Sequence, residues 1–368
     1  MPHDLIIVGA GLAGLALARA MTSLGADVVV LEGRPRIGGR VLGHRTASGC
    51  YDLGPAWIWP AAQPRIARVV EAMGLDVYAQ AEAGGFIYQD AQGSVQRLAR
   101  GFPQEPPSMR VHGGIAALIA ALEGQCRPGA IRLQSLVRRI GLYQDGVEVN
   151  AEGPEGRITL RARRAALALP PRLLGGIVLS PTLPAALLNR LHEVPTWMAG
   201  HAKALAIYDR PHWREASLSG SAISQCGPLA QIHDASLPTA SEAAIFGFFG
   251  WDAHQREIHR TTLEDRVVAQ LQRLFGSVAV GPREVLIQDW ASEPLTSTAA
   301  DGLAGGAHPV YHPIPLPAPW NDRLRLSGSE AAPEFAGYLE GALASAESAT
   351  AWASGGSVWP APFAESTR

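Results

Sequence analysis

A single stretch, residues 4–32, leaves this chain few folds to choose from. Leu5-Ile6-Ile7-Val8 is an unbroken apolar run, as expected of a strand covered on both faces in a parallel sheet. Gly9-Ala10-Gly11-Leu12-Ala13-Gly14 follows at once. Leu15 to Leu24, rich in Ala and Leu, reads as a helix stopped at Gly25. Asp27-Val28-Val29-Val30-Leu31 reads as a second buried strand, and Glu32 ends it. Strand, G-x-G-x-x-G, helix, strand and acid in this order form the dinucleotide fingerprint in its required context. Gly9 permits the tight turn, Gly11 lets the backbone approach a pyrophosphate, and Gly14 lets helix and strand pack closely. The helix N-terminus offers free N–H groups and a positive dipole end. Glu32, at the end of the second strand, stands where a carboxylate accepts from ribose hydroxyls. The expected fold is therefore α/β, with a Rossmann-like nucleotide-binding domain.

At 368 residues the chain is long enough for a second domain and a core that needs no staples. A net charge of −2 gives no electrostatic footprint for nucleic acid. Cys50, Cys126 and Cys226 are far apart, which argues against a disulfide scaffold or zinc cluster and fits a reducing compartment. No basic leader precedes Leu5, and no apolar stretch approaches the ~18 residues of a membrane span. The expectation is a cytoplasmic protein without membrane contact.

One count stands out. Of 31 Lys and Arg residues, Lys203 is the only lysine. Arginine has been accepted wherever a generic cation serves. Either compositional drift left one lysine behind, or this position needs a compact ammonium able to lose its proton on burial. Ala202 to Tyr208 reads as the strand that carries it, and a lysine snorkelling to solvent is the ordinary alternative.

The fingerprint alone does not separate NAD from FAD. The next segments narrow the choice. Glu32-x-Arg34-x-Arg36-x-Gly38-Gly39-Arg40 is followed by Tyr51-Asp52-Leu53-Gly54-Pro55-Ala56-Trp57. Val111-His112-Gly113-Gly114 then leads into an apolar helix, Ile115 to Leu122. Ile131 to Val137, Gly146 to Val149, Ile158 to Leu160 and Ala165 to Leu169 read as strands, the last ended by Pro170-Pro171. Leu324 to Glu330 reads as strand, turn and acid, and Gly337-Tyr338-Leu339-Glu340-Gly341-Ala342 opens a final helix to about Trp352. Together these motifs resemble the flavin-containing amine oxidase (monoamine oxidase-like) family over residues 4 to about 352.

The resemblance implies FAD as cofactor. It implies that Gly9, Ala10, Gly11, Gly14, Glu32, Arg34, Gly39 and Arg40 hold its nucleotide end. Val137 would flank the adenine, and Gly54, Ala56 and Trp57 would lie near the flavin. Gly328 and Glu330 would contact the linking chain, with the Glu330 carboxylate accepting from ribityl or ribose hydroxyls. The final helix N-terminus, at Leu339, would face the flavin carbonyls. Lys203 would hold a water at flavin N5, and Tyr338, Trp290 and Trp57 would line the substrate approach. The domains implied are FAD-binding (1–77, 109–192 and 292–352) and substrate (78–108 and 193–291, mixed α+β), with a flexible tail at 353–368.

The chain also departs from that pattern. The segment between Asp52-x-Gly54 and Gly113-Gly114 is short, so the cavity should have a smaller or more open roof, or be closed by a partner chain in a homodimer. Ala299 stands where some members carry the cysteine that bonds the flavin, so FAD should be non-covalent. Ala300 replaces the first tyrosine of the family's aromatic cage, and Pro55 replaces a glycine. Trp57, Trp59, Trp197 and Trp290 are candidates for the missing wall or simply packed residues. His308 and His312 are separated by prolines that forbid a helical metal pair, and no metal site is expected. His233-Asp234 reads as a surface loop. The leading expectation is oxidation of a small amine, with O2 or another electron acceptor. A desaturase-type reaction on C–C bonds and a low-turnover FAD-binding protein remain as alternatives.

Overall fold

The computed structural model describes residues 2–238, 241–276, 281–302 and 307–356, built on two large sheets. At the centre of the first, His3–Val8 runs parallel to Val28–Leu31 on one side and to Gly156–Leu167 on the other. Its side chains alternate between two cores, as the period of a strand requires. Leu5 and Ile7 pack with the helices Leu12–Ser23, Ile115–Gly124 and Leu339–Ala353, while Ile6 and Val8 pack with the strands of the meander. The unbroken apolar run is thus explained: neither face meets water.

The meander differs from the sequence reading in two ways. Ile131 to Val137 is not one strand. Ile131–Arg132 pairs with Val30 and Leu31, and a new strand, Leu136–Tyr143, starts after a turn. The break is enforced at Gln134 (φ 51°), whose N–H reaches Arg34 O, and at Ser135, whose N–H reaches Glu32 O. Conversely, the two short strands expected at 158–160 and 165–169 are one long strand, Gly156–Leu167. On one edge it pairs antiparallel with Gly146–Gly153 and then parallel with Leu324–Leu326. That last pairing brings the C-terminal motif beside the N-terminal fingerprint.

The second sheet is ordered Glu284–Asp289, Ala202–Tyr208, Ala243–Phe249, Leu229–Asp234, Leu218–Ser224, Gly85–Gln89 and Val95–Leu98. It therefore draws on both 85–98 and 202–289. Alternation matters again in Ala202–Tyr208. Ala202, Ala204, Ala206 and Tyr208 face a core closed by the helix Leu263–Phe275, whereas Leu205 and Ile207 face Tyr51 and Leu53 of the first half. Lys203 shares the parity of Leu205 and so points toward the junction of the two sheets.

His233-Asp234 corrects another expectation. These residues end a strand and are not a surface loop. Asp234 is buried because Trp213 Nε1, Arg214 Nε and the Ser236 N–H all donate to its carboxylate. Of the tail, Ala353 ends the final helix, and residues 357–368 lie outside the described residues.

Candidate active site

The fingerprint turn is set by steric necessity. Gly9 has φ 105°, and a Cβ there would lie 2.6 Å from Ala168 O. A Cβ on Gly14 would lie 1.9 Å from Gly9 O and 3.2 Å from the Ala168 Cβ. Only glycine allows helix, turn and strand to approach this closely. The helix Leu12–Ser23 starts at Gly11 with no side-chain cap, and Gly11, Leu12 and Ala13 line a cavity of about 1220 Å³. The helix Leu339–Ala353 also starts without a side-chain cap, and Gly337, Tyr338 and Leu339 line the same cavity. Two positive helix ends, drawn from opposite ends of the chain, thus open into one space.

The cavity wall also includes Gly9, Glu32, Arg34, Gly39, Arg40, Gly54, Ala56, Trp57, Val137 and Gly328, all expected from the sequence. Three expected residues do not line it. Gly14 is consumed by packing. Ala10 is fully buried, and its N–H donates to Glu32 Oε2 (2.8 Å). Glu330 is turned away: its carboxylate receives Arg40 Nη1 at 2.6 Å and Nη2 at 3.2 Å. A buried carboxylate needs such a partner, and a bidentate guanidinium is the strongest available. Glu330 thus holds Arg40, which lines the wall. Glu32 is also anchored, accepting the Arg34 N–H on Oε1 (2.9 Å), yet it still faces the lumen. Arg34 Nη2 in turn donates to Thr296 Oγ1 (2.8 Å).

At the other end lies Lys203, 2% exposed. Its Nζ donates to Gly54 O (3.1 Å) and sits 4.1 Å from the centre of the Phe246 ring. Burial pulls its pKa down to about 7; Asp52 opposes that fall and Arg110 adds to it. The one lysine is thus neither exposed nor snorkelling. Burial raises the Asp52 carboxyl, against the pull of Arg110 and Lys203. Asp52 Oδ1 accepts the Ile115 N–H (2.9 Å), and Arg110 Nη2 lies 4.0 Å from Oδ2. Arg110 is not foreseen from the sequence. Its one signal is a charged residue inside a three-residue strand, Met109–Val111, whose partner Asp52 is remote along the chain.

The aromatic residues converge here. Trp57 donates from Nε1 to Gln80 (2.8 Å) and packs on His233 and Phe246. Trp290 is buried, and Trp59, Trp197, Phe248 and Phe249 complete the lining with Trp57, Trp290 and Tyr338. Tyr338 stacks on His308 (5.1 Å, 22°), whose Nε2 meets Ala336 O at 2.9 Å. His308 thus supports a wall residue. Among the described residues no cluster of three or more His, Cys, Asp and Glu could hold a metal. No helix of the described residues is long and apolar enough to cross a membrane.

Two uncapped helix ends, a glycine turn that a Cβ would block, and a carboxylate facing the lumen fit an extended dinucleotide, and the cavity is roomier than a drug-sized ligand needs. A family model described as flavin containing amine oxidoreductase matches residues 12–109 and 83–351. The chain belongs to this family. It is accordingly a flavin-dependent oxidoreductase. Among its relatives is an L-amino acid dehydrogenase of Synechocystis sp., 25% identical over 94% of this chain and 93% of the relative. That alignment runs over 461 positions, so the relative carries segments this chain lacks. The flavin-containing amine oxidase B of Sus scrofa is 24% identical over 94% of this chain and 85% of its own. In fold, the chain resembles putrescine oxidase, solved as a triple mutant (TM-score 0.79, 20% identity, covering 95% of this chain and 98% of that one).

Proposed function

We propose that this flavoenzyme binds FAD non-covalently and oxidises an apolar amine at its C–N bond. The observation that carries the reading is the convergence of two uncapped helix N-termini and the only lysine of the chain, itself buried, on one cavity. The chemistry that bound FAD would supply is two-electron oxidation of the carbon beside nitrogen, with O2 or another acceptor as the final oxidant. Gly9, Gly11, Glu32, Arg34, Gly39, Arg40, Val137 and Gly328 would hold its nucleotide and linking portions. Gly54, Ala56 and the Leu339 helix end would hold the flavin end. Residues 78–108 and 193–291 would shape the substrate side.

Lys203 would hold a water beside the flavin, using N–H groups not taken by Gly54 O. Trp57, Trp290 and Tyr338 would orient the amine and exclude bulk water. Among the described residues no cysteine lines the cavity: Cys50 and Cys126 are buried elsewhere, and Cys226 is outside the lining.

The lining also speaks to the substrate. Glu32 is the sole carboxylate among the described lining residues, and it is committed at the nucleotide end. Arg172 also lines the cavity, but its guanidinium is spent on His192 O, Glu193 O and Asp301. Burial keeps the His201 imidazole below its ordinary pKa, favouring the neutral form. A second substrate ammonium would find no uncommitted carboxylate among the described lining residues. Apolar monoamines should therefore bleach the flavin anaerobically, ahead of diamines. Bleaching only by unsaturated-ring or lipid-like compounds would favour C–C chemistry instead, and bleaching by none would favour a low-turnover binder. Boiling should release intact FAD into the supernatant; a chromophore that stays with the precipitate would overturn non-covalent binding.

A further inference from the structure

Arg110 lines a second cavity, of about 830 Å³. Tyr78, Gln80, Arg110, Arg214, Ser219 and Ser236 are among the residues that line it. The partition between the two spaces is thin. Trp57 lines the first cavity, Gln80 lines the second, and the two are hydrogen-bonded to each other. Asp52 and Arg110 sit in this partition, 3% and 2% exposed.

Their surroundings are polar but poorly satisfied. Asp52 Oδ2, Arg110 Nε, Tyr78 Oη and Ser108 Oγ are buried without a hydrogen-bond partner among the described residues. Tyr78 lies opposite Arg110 in a two-stranded pairing, and the guanidinium is 5.7 Å from its ring centre. A merely structural ion pair would be expected to satisfy its own atoms, because an unpaired buried polar group costs free energy. Water is the usual partner of such a cluster. The arrangement leaves a carboxylate and a guanidinium 4.0 Å apart, neither fully neutralised by the other, and Lys203 Nζ is held at Gly54 O, two residues along the chain from Asp52.

We propose that Asp52 and Arg110 are positioning residues for amine oxidation: a hydrated, buried ion pair, reaching the second cavity through Arg110, that fixes the charge Lys203 carries. This rests on the role of Lys203 proposed above. Asp52 favours the ammonium and Arg110 favours the neutral amine. His233, on Leu229–Asp234, is separated from the Lys203 strand by Ala243–Phe249, and burial holds its imidazole down at about 4, so it adds no charge near neutrality. From the strands flanking Lys203 come Phe246, Phe248 and Gln288, none of which titrates.

A chain with one lysine allows a direct test. Grown with 13Cε-lysine, the holoenzyme gives one lysine signal, whose shift with pH reports the protonation of Lys203. Asp52→Asn, which keeps an oxygen for the Ile115 N–H, should lower the midpoint by about one pH unit or more. Arg110→Met should raise it by a similar amount. The pH limb of kcat/KM should move with the midpoint in each variant. Thermal melts establish that each variant is folded, and Arg110→Gln replaces Arg110→Met if the latter does not fold. Midpoints that stay within about 0.3 pH unit of the parent in folded variants, or that move in the same direction, would reduce the pair to a structural clamp. Flavin content, measured separately by absorbance, tests the flavoenzyme reading itself, so either can fail alone.

Discussion

The two ends of the large cavity are built on different principles. The nucleotide end is a backbone device. Gly11 and the first turn of the helix Leu12–Ser23 offer N–H groups whose positions follow from local chain geometry, and Glu32 is held by the N–H groups of Ala10 and Arg34. The lysine end is a side-chain device. Lys203, Asp52, Arg110, Trp57 and Trp290 come from separate segments and meet only because two sheets are pressed together. A backbone device should fail completely when its geometry is blocked. A side-chain device should lose one step and keep the rest.

The sharpest test of that contrast is Gly14→Val. Its Cβ alone would fall 1.9 Å from Gly9 O, which no rotamer relieves. We expect no flavin to copurify and the yield of folded protein to collapse, read from flavin absorbance per chain and from circular dichroism. A yellow, folded variant would break the account of the fingerprint.

Lys203→Met should behave in the opposite way. Flavin affinity should stay within about twofold, while one flavin half-reaction slows by roughly 100-fold, as loss of a positioned proton-handling group commonly does. Stopped-flow traces for reduction by amine and for reoxidation would locate the step, and unchanged rates in both would make the lysine a packing residue. The same variant carries a stability signature. A lysine at about 7 in the folded chain and 10.5 unfolded binds fewer protons when folded between those values. Wild-type stability should therefore rise with pH across that window, and Lys203→Met should remove the rise. Denaturant melts below about pH 7 and above about pH 10 would show it.

Glu32→Ala should be milder than the glycine change. It removes an acceptor from the ribose position and also strands the N–H groups of Ala10 and Arg34. Losing hydrogen bonds to a charged group costs about 1.5–3 kcal/mol, so the flavin dissociation constant should rise roughly 10- to 100-fold. Titration of apoprotein with FAD would measure it. Unchanged affinity would mean that Glu32 serves only its own turn.

The same contrast explains what the sequence can reveal. The nucleotide end is legible because its rules are local: a glycine two positions before another, an acid at the end of the next strand. Lys203 is legible through composition, since one lysine among 31 basic residues marks a position arginine does not fill. The Asp52–Arg110 pair is not legible. Its members lie in strands remote from each other along the chain, and nothing in either segment announces the other. Glu330 gathers with the closing motif but takes Arg40 as its partner, because a motif shows which residues come together and not which way a carboxylate turns. The prolines around His308 rule out a helical metal pair, yet its stacking on Tyr338 depends on a loop path that the prolines alone do not specify.

The smallest effect expected is at Tyr338. Its ring is stacked on His308 and lies 6.4 Å from Trp197, while its hydroxyl makes no hydrogen bond to any described residue. The useful part of the side chain is therefore the π face, and Tyr338→Phe should change KM by less than about threefold. Tyr338→Ala removes the face as well. An aromatic contact of about 0.5–1.5 kcal/mol corresponds to roughly a 2- to 12-fold rise in KM, with FAD still bound because the backbone N-terminus of the helix is untouched. If Tyr338→Phe proved as damaging as Tyr338→Ala, the hydroxyl would have to touch the substrate. The lysine end would then contain a hydrogen-bonding group that the apolar-amine reading leaves out.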